Sequence, residues 1–156
     1  MSNIAASKSA ATAELGHAVT LMVRDRCLCL HVQRAARALA RRFDLVFQPI
    51  GLTSGQFSLL MSLNRPEPPT IGSVAELLAM DRTTLTANLK PLERRGLVKI
   101  GVDKEDRRSR RLAITAAGRA LLAKAYPLWQ RAHAEAEKAA ANASAESLIA
   151  ALRALS

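Results

Sequence analysis

Apolar residues recur at helical spacing over most of this chain and turn to a strand-like pattern only between residues 97 and 114. From about Val19 to Phe47, stepping at about 100° per residue, Leu21, Leu28, Val32, Ala35, Leu39, Phe43 and Val46 fall on one stripe. Leu30, Arg34, Arg37 and Arg41 lie opposite, so the pattern predicts one long amphipathic helix, stopped by Pro49 and Gly51. Thr53 can cap the next helix, which runs through Phe57, Leu60, Met61 and Leu63, and Asn64 to Pro69 is a loop by its proline content. Val74, Leu77 and Leu78 give a short helix one apolar face. Asp81 is placed to cap a second helix, in which Leu85, Leu89 and Leu92 form the buried stripe, and Gly96 ends it. Leu97, Val98 and Ile100 read as a strand with Leu112 and Ile114 as its partner, and the polar run from Val102 to Arg111 between them reads as a loop. Thr115 to Ser156 is Ala-rich and helical. A break is expected near Asn142, where Ser144 can cap a last helix carrying Leu148, Ile149, Leu152 and Leu155.

Helix, tight turn, helix and a hairpin with a cationic tip is the layout of a winged helix-turn-helix, which makes the fold class mainly α with a small β-wing and points to DNA. Charge bears this out. The 156 residues carry a net charge of +10, and residues 82–111 alone hold ten Lys or Arg against four acids. Such a local excess suits a phosphate-binding footprint. Thr83, Thr84 and Thr86 offer hydroxyls and methyls to phosphates and thymine, while Arg82, Asn88 and Lys90 reach further. Asn88 is the candidate base reader, because its amide can pair with adenine in two places.

Length suits one domain, read as 19–156 behind a flexible tail at 1–18. No stretch is apolar for long enough to span a bilayer and no secretory pattern opens the chain, so a cytoplasmic location is expected. His17, His31 and His133 have no metal-ligand spacing, and there is neither a phosphate-cradling glycine loop nor a nucleophile triad. The reading is therefore of a protein that is no enzyme and needs no cofactor or metal. Cys27 and Cys29, two apart on the expected helix, would point about 200° from each other, which disfavours a bond between them.

Residues 52–118 resemble the MarR family of bacterial transcription regulators. The resemblance lies in Gly51-Leu52-Thr53 opening a helix, in Leu92-Glu93-Arg94-Arg95-Gly96-Leu97-Val98, and in the wing residues Asp106 and Arg108. With the flanking helices it extends over about 20–155. It implies a winged helix-turn-helix at about 52–115, between dimerisation helices at about 19–48 and 116–155. The partners implied are double-stranded DNA with a pseudo-palindromic operator, and a second copy of the chain. In the wing it makes Arg108 the main cation and Asp106 its local partner, with Lys104 and Arg107 near the tip, where an arginine can enter a narrow minor groove. Two positions depart from the pattern: Ala87 stands where an arginine is often found, and Pro91 interrupts the recognition helix, removing a bond to the Ala87 carbonyl.

Counted back from Gly51, Cys29 falls where the hydroperoxide-sensing branch of this family has its reactive cysteine, with Gln33 and Phe43 in place of that branch's tyrosines. The competing signal is a small aromatic or acidic ligand in a cleft, for which His31, Arg34, Phe57 and Trp129 are candidate lining residues. The leading expectation is a homodimeric repressor released by ligand or thiol oxidation. A constitutive DNA-organising protein without an effector is the alternative, and a winged helix that contacts another protein is a third.

Overall fold

The computed structural model describes residues 15–103, 106–140 and 144–156, and these fall into two compact units divided between Ala36 and Arg37. The segment read as an N-terminal tail lies outside the described residues up to position 14, and the first helix begins two residues before the expected boundary.

The first unit holds α1 (His17–Arg26) and the start of α2 (Leu28–Phe47). One long helix was expected here; instead Cys27 leaves the helical region, with φ −70° and ψ 105°. Its thiol does what a capping hydroxyl usually does. Sγ accepts the Leu30 backbone N–H at 3.4 Å, so a residue that reads as one more small apolar position ends one helix and starts the next. The expected stripe is also largely open in the single chain: Leu28, Val32 and Leu39 are exposed, as are Val19, Met22 and Val23 on α1.

The second unit contains the core. At its centre is Phe47, fully buried on the last turn of α2, with its ring 4.8 Å from that of Phe57. A 3-10 turn (Gln48–Ile50) and Gly51, in the left-handed region at φ 67°, lead into α3 (Ser54–Ser62). Thr53 caps α3 as expected, and does so reciprocally: Gln56 N–H donates to Thr53 Oγ1 while Thr53 N–H donates to Gln56 Oε1, both at 3.2 Å.

Thr70 caps the short α4 (Ile71–Leu77), and Asp81 caps α5 (Arg82–Arg94). Leu85, Leu89 and Leu92 are fully buried, which fixes the rotation of α5 and turns the intervening positions outward. The helix is continuous through Pro91. Burial of Leu89 and Leu92 on either side of the proline offsets the one missing hydrogen bond. Two apolar positions behave differently from the expected pattern. Met61 on α3 is exposed, and so is Leu77, where α4 ends and the chain turns through Ala79 at a positive φ of 49°.

Strands β1 (Val98–Val102) and β2 (Arg110–Ile114) pair antiparallel, with Val98 opposite Ile114 and Ile100 opposite Leu112. The hairpin is longer than its apolar residues suggest. Val102, Arg110 and Arg111, assigned to the loop from their polar surroundings, continue the ladder, because main-chain bonds along a strand do not depend on side-chain polarity. Thr115 then caps α6 (Ala116–Ala139), and Ser144 caps α7 (Ala145–Arg153) as expected. Leu148, Ile149, Leu152 and Leu155 are exposed at the C-terminus of the chain. Asn142 lies outside the described residues. Among the described residues no helix is long and apolar enough to cross a membrane.

Candidate nucleic-acid interface

The rotation of α5 sorts its outward residues into three sets. Thr83, Ala87, Lys90 and Arg94 lie farthest from the buried leucines, Arg82 and Thr86 flank them toward the wing, and Thr84, Asn88 and Pro91 flank them toward α3. Arg82 and Thr86 line a groove of about 500 Å³ together with Thr70, Gly72, Arg108 and Arg110. Arg82 on the recognition helix and Arg108 and Arg110 in the wing, more than twenty residues further along the chain, thus share one trough. With three arginines against one carboxylate, Asp106, the trough suits a phosphate backbone.

Several candidate side chains already have partners. Thr84 donates its hydroxyl to Asp81 Oδ2 at 2.6 Å and its N–H to Oδ1 at 2.8 Å, so its proton serves the cap. The Thr86 hydroxyl donates to the Arg82 carbonyl at 2.7 Å. Thr83 and Lys90 are exposed on the outer face. Asn88 is exposed on the α3 side, with its amide 3.8 Å from Met80 Sδ, beside a small hollow shared with Thr53, Gln56 and Pro91.

The Asp81 carboxyl is held below its ordinary range, first by the Thr84 hydroxyl and then by the Thr84 amide. A depressed carboxylate contributes stability above its unfolded value and loses it as pH falls through the folded one. The melting-temperature gap between wild type and Asp81→Ala is therefore expected to be complete at pH 7 and to close as pH falls below about 4. A gap that persists unchanged to pH 3 would remove the carboxylate's charge from the account of this cap.

In the wing, the resemblance paired Asp106 with Arg108, and the pairing runs through the main chain. Asp106 Oδ1 accepts the Arg108 backbone N–H at 2.9 Å, which leaves the guanidinium free to line the groove. Arg107 is exposed beside it, and Lys104 lies outside the described residues. Sequence reasoning missed Arg110 and Thr70. Strand alternation could have found Arg110 had the hairpin been extended to it, but Thr70 reaches the groove only through the tertiary fold.

In the first unit, Gln33 Nε2 donates to Cys29 Sγ at 3.1 Å, which brings together two of the residues considered for sensing. Cys29 is exposed and Cys27 half-buried. His31 and Arg34 belong to this unit too, and His31 Nε2 lies 3.3 Å from the Asp25 carbonyl. In the second unit, Phe43 packs on Phe47 at 6.1 Å between ring centroids. Trp129 stacks with Phe57 at 6.4 Å and with Tyr126 at 6.0 Å. These rings, with Met61, Leu77 and Leu78, line an apolar cavity of about 560 Å³.

Known proteins resemble this chain in sequence and fold. Residues 52–109 match the model of the MarR family. The chain is 30% identical over 107 residues to the organic hydroperoxide resistance transcriptional regulator of Bacillus subtilis (strain 168), covering 69% of this chain and 73% of that one. Its fold superposes on the M. tuberculosis transcriptional regulator MosR in complex with DNA with a TM-score of 0.75 and 36% identity, over 83% of this chain and 92% of that one. For the transcriptional repressor CouR bound to a 23-mer DNA duplex the TM-score is 0.67 and the identity 29%, over 85% and 92%. These relatives are DNA-binding regulators and not enzymes. With the recognition helix, the cationic wing and these likenesses in place, the chain belongs to the MarR family of winged helix-turn-helix transcription regulators.

Proposed function

We propose that this regulator is a homodimeric repressor that binds a pseudo-palindromic operator and releases it when Cys29 is oxidised by an organic hydroperoxide. The observation that carries the sensing half is the exposed Cys29 sulfur, held by the Gln33 amide N–H at 3.1 Å and open to an oxidant from solvent. The likeness to an organic hydroperoxide resistance regulator supports the choice of oxidant. In the reaction the sulfur attacks one peroxide oxygen and the O–O bond breaks. Cys–SH and ROOH become Cys–SOH and ROH. Cys27 is the natural second thiol, since the helix break removes the intact turn that would hold the two sulfurs apart. Its S–H condenses with the sulfenic acid to a disulfide and water. Cys27 Sγ then gives up the Leu30 N–H, and the first turn of α2 loses its cap.

Dimerisation is supported by the apolar residues left open on α1, on α2 and on α7, among them Val23, Val32, Leu148 and Leu152. A recognition helix covers few base pairs, and two of them about one helical turn apart read a half-site each. The winged helix-turn-helix at 52–115 would then be carried by dimerisation helices on both sides.

The test is fluorescence anisotropy on the intergenic DNA flanking the protein's own gene and on a scrambled duplex, before and after mild organic peroxide. Preference for its own DNA, lost on oxidation and retained in Cys29→Ser, is the expected result. Preference that survives oxidation in wild type would overturn the thiol switch. It would favour a second reading, release by a small aromatic or acidic ligand, whose candidate site is the hollow lined by Phe57, Trp129, Met61 and Leu78. Equal affinity for both duplexes would favour a DNA-organising role.

A further inference from the structure

We infer that Asp103 and Arg111 are positioning residues for DNA binding, a latch that fixes the wing to the proline loop in front of α4. The inference rests on the operator-binding reading above. Arg111 belongs to the basic run whose charge excess suits phosphates, yet its guanidinium, though its side chain is 43% exposed, is bound to the protein itself. Nε donates to Asp103 Oδ2, and Nη1 donates to the Pro68 carbonyl at 3.0 Å. Asp103 is buried, at 7% exposure, a rare place for a carboxylate without a structural task.

From Asp103 the bonds run outward into the wing. Its Oδ1 accepts the Asp106 N–H at 3.3 Å, and its own N–H donates to the Ser109 carbonyl at 3.1 Å. Asp106 in turn holds the backbone of Arg108. From Arg111 the bonds run the other way. Thr70 bridges to it, and the Leu112 N–H donates to the Pro69 carbonyl at 2.9 Å. Thr70 is also the cap of α4, so the wing and the start of the helix-turn-helix hang on one bonded path. Strand alternation completes the arrangement. Arg110 faces the groove with Arg82 and Arg108, while Arg111, one residue on, closes the latch behind it. The groove keeps its width because the wing cannot swing away from α4.

Electrostatics and latch predict opposite signs for one substitution. Asp103→Asn removes a negative charge close to DNA, so charge alone would tighten binding. The latch predicts the reverse, because the guanidinium loses its charged partner. Arg111→Lys keeps the charge but cannot span both the carboxylate and the Pro68 carbonyl from one nitrogen. Both variants are expected to weaken binding to the protein's own intergenic DNA by about tenfold, measured by anisotropy with circular dichroism to check the fold.

A second measurement needs no DNA. Amide exchange at Leu112 in the free protein is expected to be slow in wild type and faster in both variants. Asp103→Asn binding as tightly as wild type or tighter, or Leu112 exchanging at the wild-type rate in both variants, would overturn the latch. Wild type without preference for its own DNA would instead remove the operator reading, and the exchange rates alone would then decide the latch.

Discussion

Arg108→Ala is expected to weaken binding to every duplex by roughly tenfold, with little change in preference among sequences. The side chain sits on the wing side of a trough whose other wall is Arg82 and Thr86, and its backbone is pinned by Asp106. A cation held there replaces condensed counterions on the phosphate backbone, a contribution that is blind to base identity. The plot of log affinity against log salt should therefore become shallower by about two for a dimer, one for each subunit. Arg82→Ala works on the same trough from the recognition helix and should act in the same direction. Anisotropy at several salt concentrations decides it. An Arg108→Ala protein with wild-type affinity and salt slope would mean that the wing lies off the DNA.

Gly118→Ala is expected to destabilise the fold, although alanine is the better helix former. Within a helix the exchange alone would gain about 1 kcal/mol. At Gly118, however, an added Cβ would run into the Leu97 carbonyl oxygen and come to 2.7 Å from Ile114 Cγ1. The carbonyl is backbone and already accepts the Thr115 N–H at 3.0 Å, so it cannot give way cheaply. Thr115 adds to the constraint. Its hydroxyl donates to the Gly96 carbonyl at 2.7 Å and accepts the Gly118 N–H at 3.1 Å, which locks the start of α6 against the end of α5 and β1. Overpacking against backbone outweighs the propensity gain, for a net loss of about 2 kcal/mol and a fall in Tm of about 4–8 °C. Thermal denaturation of the two proteins is the measurement. An unchanged or higher Tm would mean that α6 can shift away from β1 at little cost.

Much of the second unit was legible before any coordinates. The buried trio on α5, the caps at Thr53, Asp81 and Ser144, and the two wing strands through Val98 and Ile100 and through Leu112 and Ile114 follow from local rules, whereas the register between those strands came from the structure. Helical period, strand period and the need of free N–H groups for an acceptor act within a few residues of each other. The break at Cys27 was not legible. Periodicity continues across it, and cysteine carries no strong capping signal, so nothing in the pattern separates one helix of 29 residues from two. The candidate site was half legible. Arg82, Thr86 and Arg108 could be named from motif and charge, but Arg110 and Thr70 could not, and Arg111 added to the charge excess of 82–111 although its guanidinium is bound to Asp103 and the Pro68 carbonyl.

The division follows from the range of the forces. By itself the sequence determined which segments are helices, where most of them start, which of their faces are apolar, and that the helix-turn-helix and wing carry the excess of positive charge. The tertiary structure alone decided which cations share a groove and which are bonded within the protein, because residues 70, 82, 108 and 110 meet in the groove, and 70 with 111 beside it, only through packing and hydrogen bonds between separate elements. A basic residue reads the same in sequence whether it faces a phosphate or a buried carboxylate. What distinguishes the two is the position of a partner far along the chain.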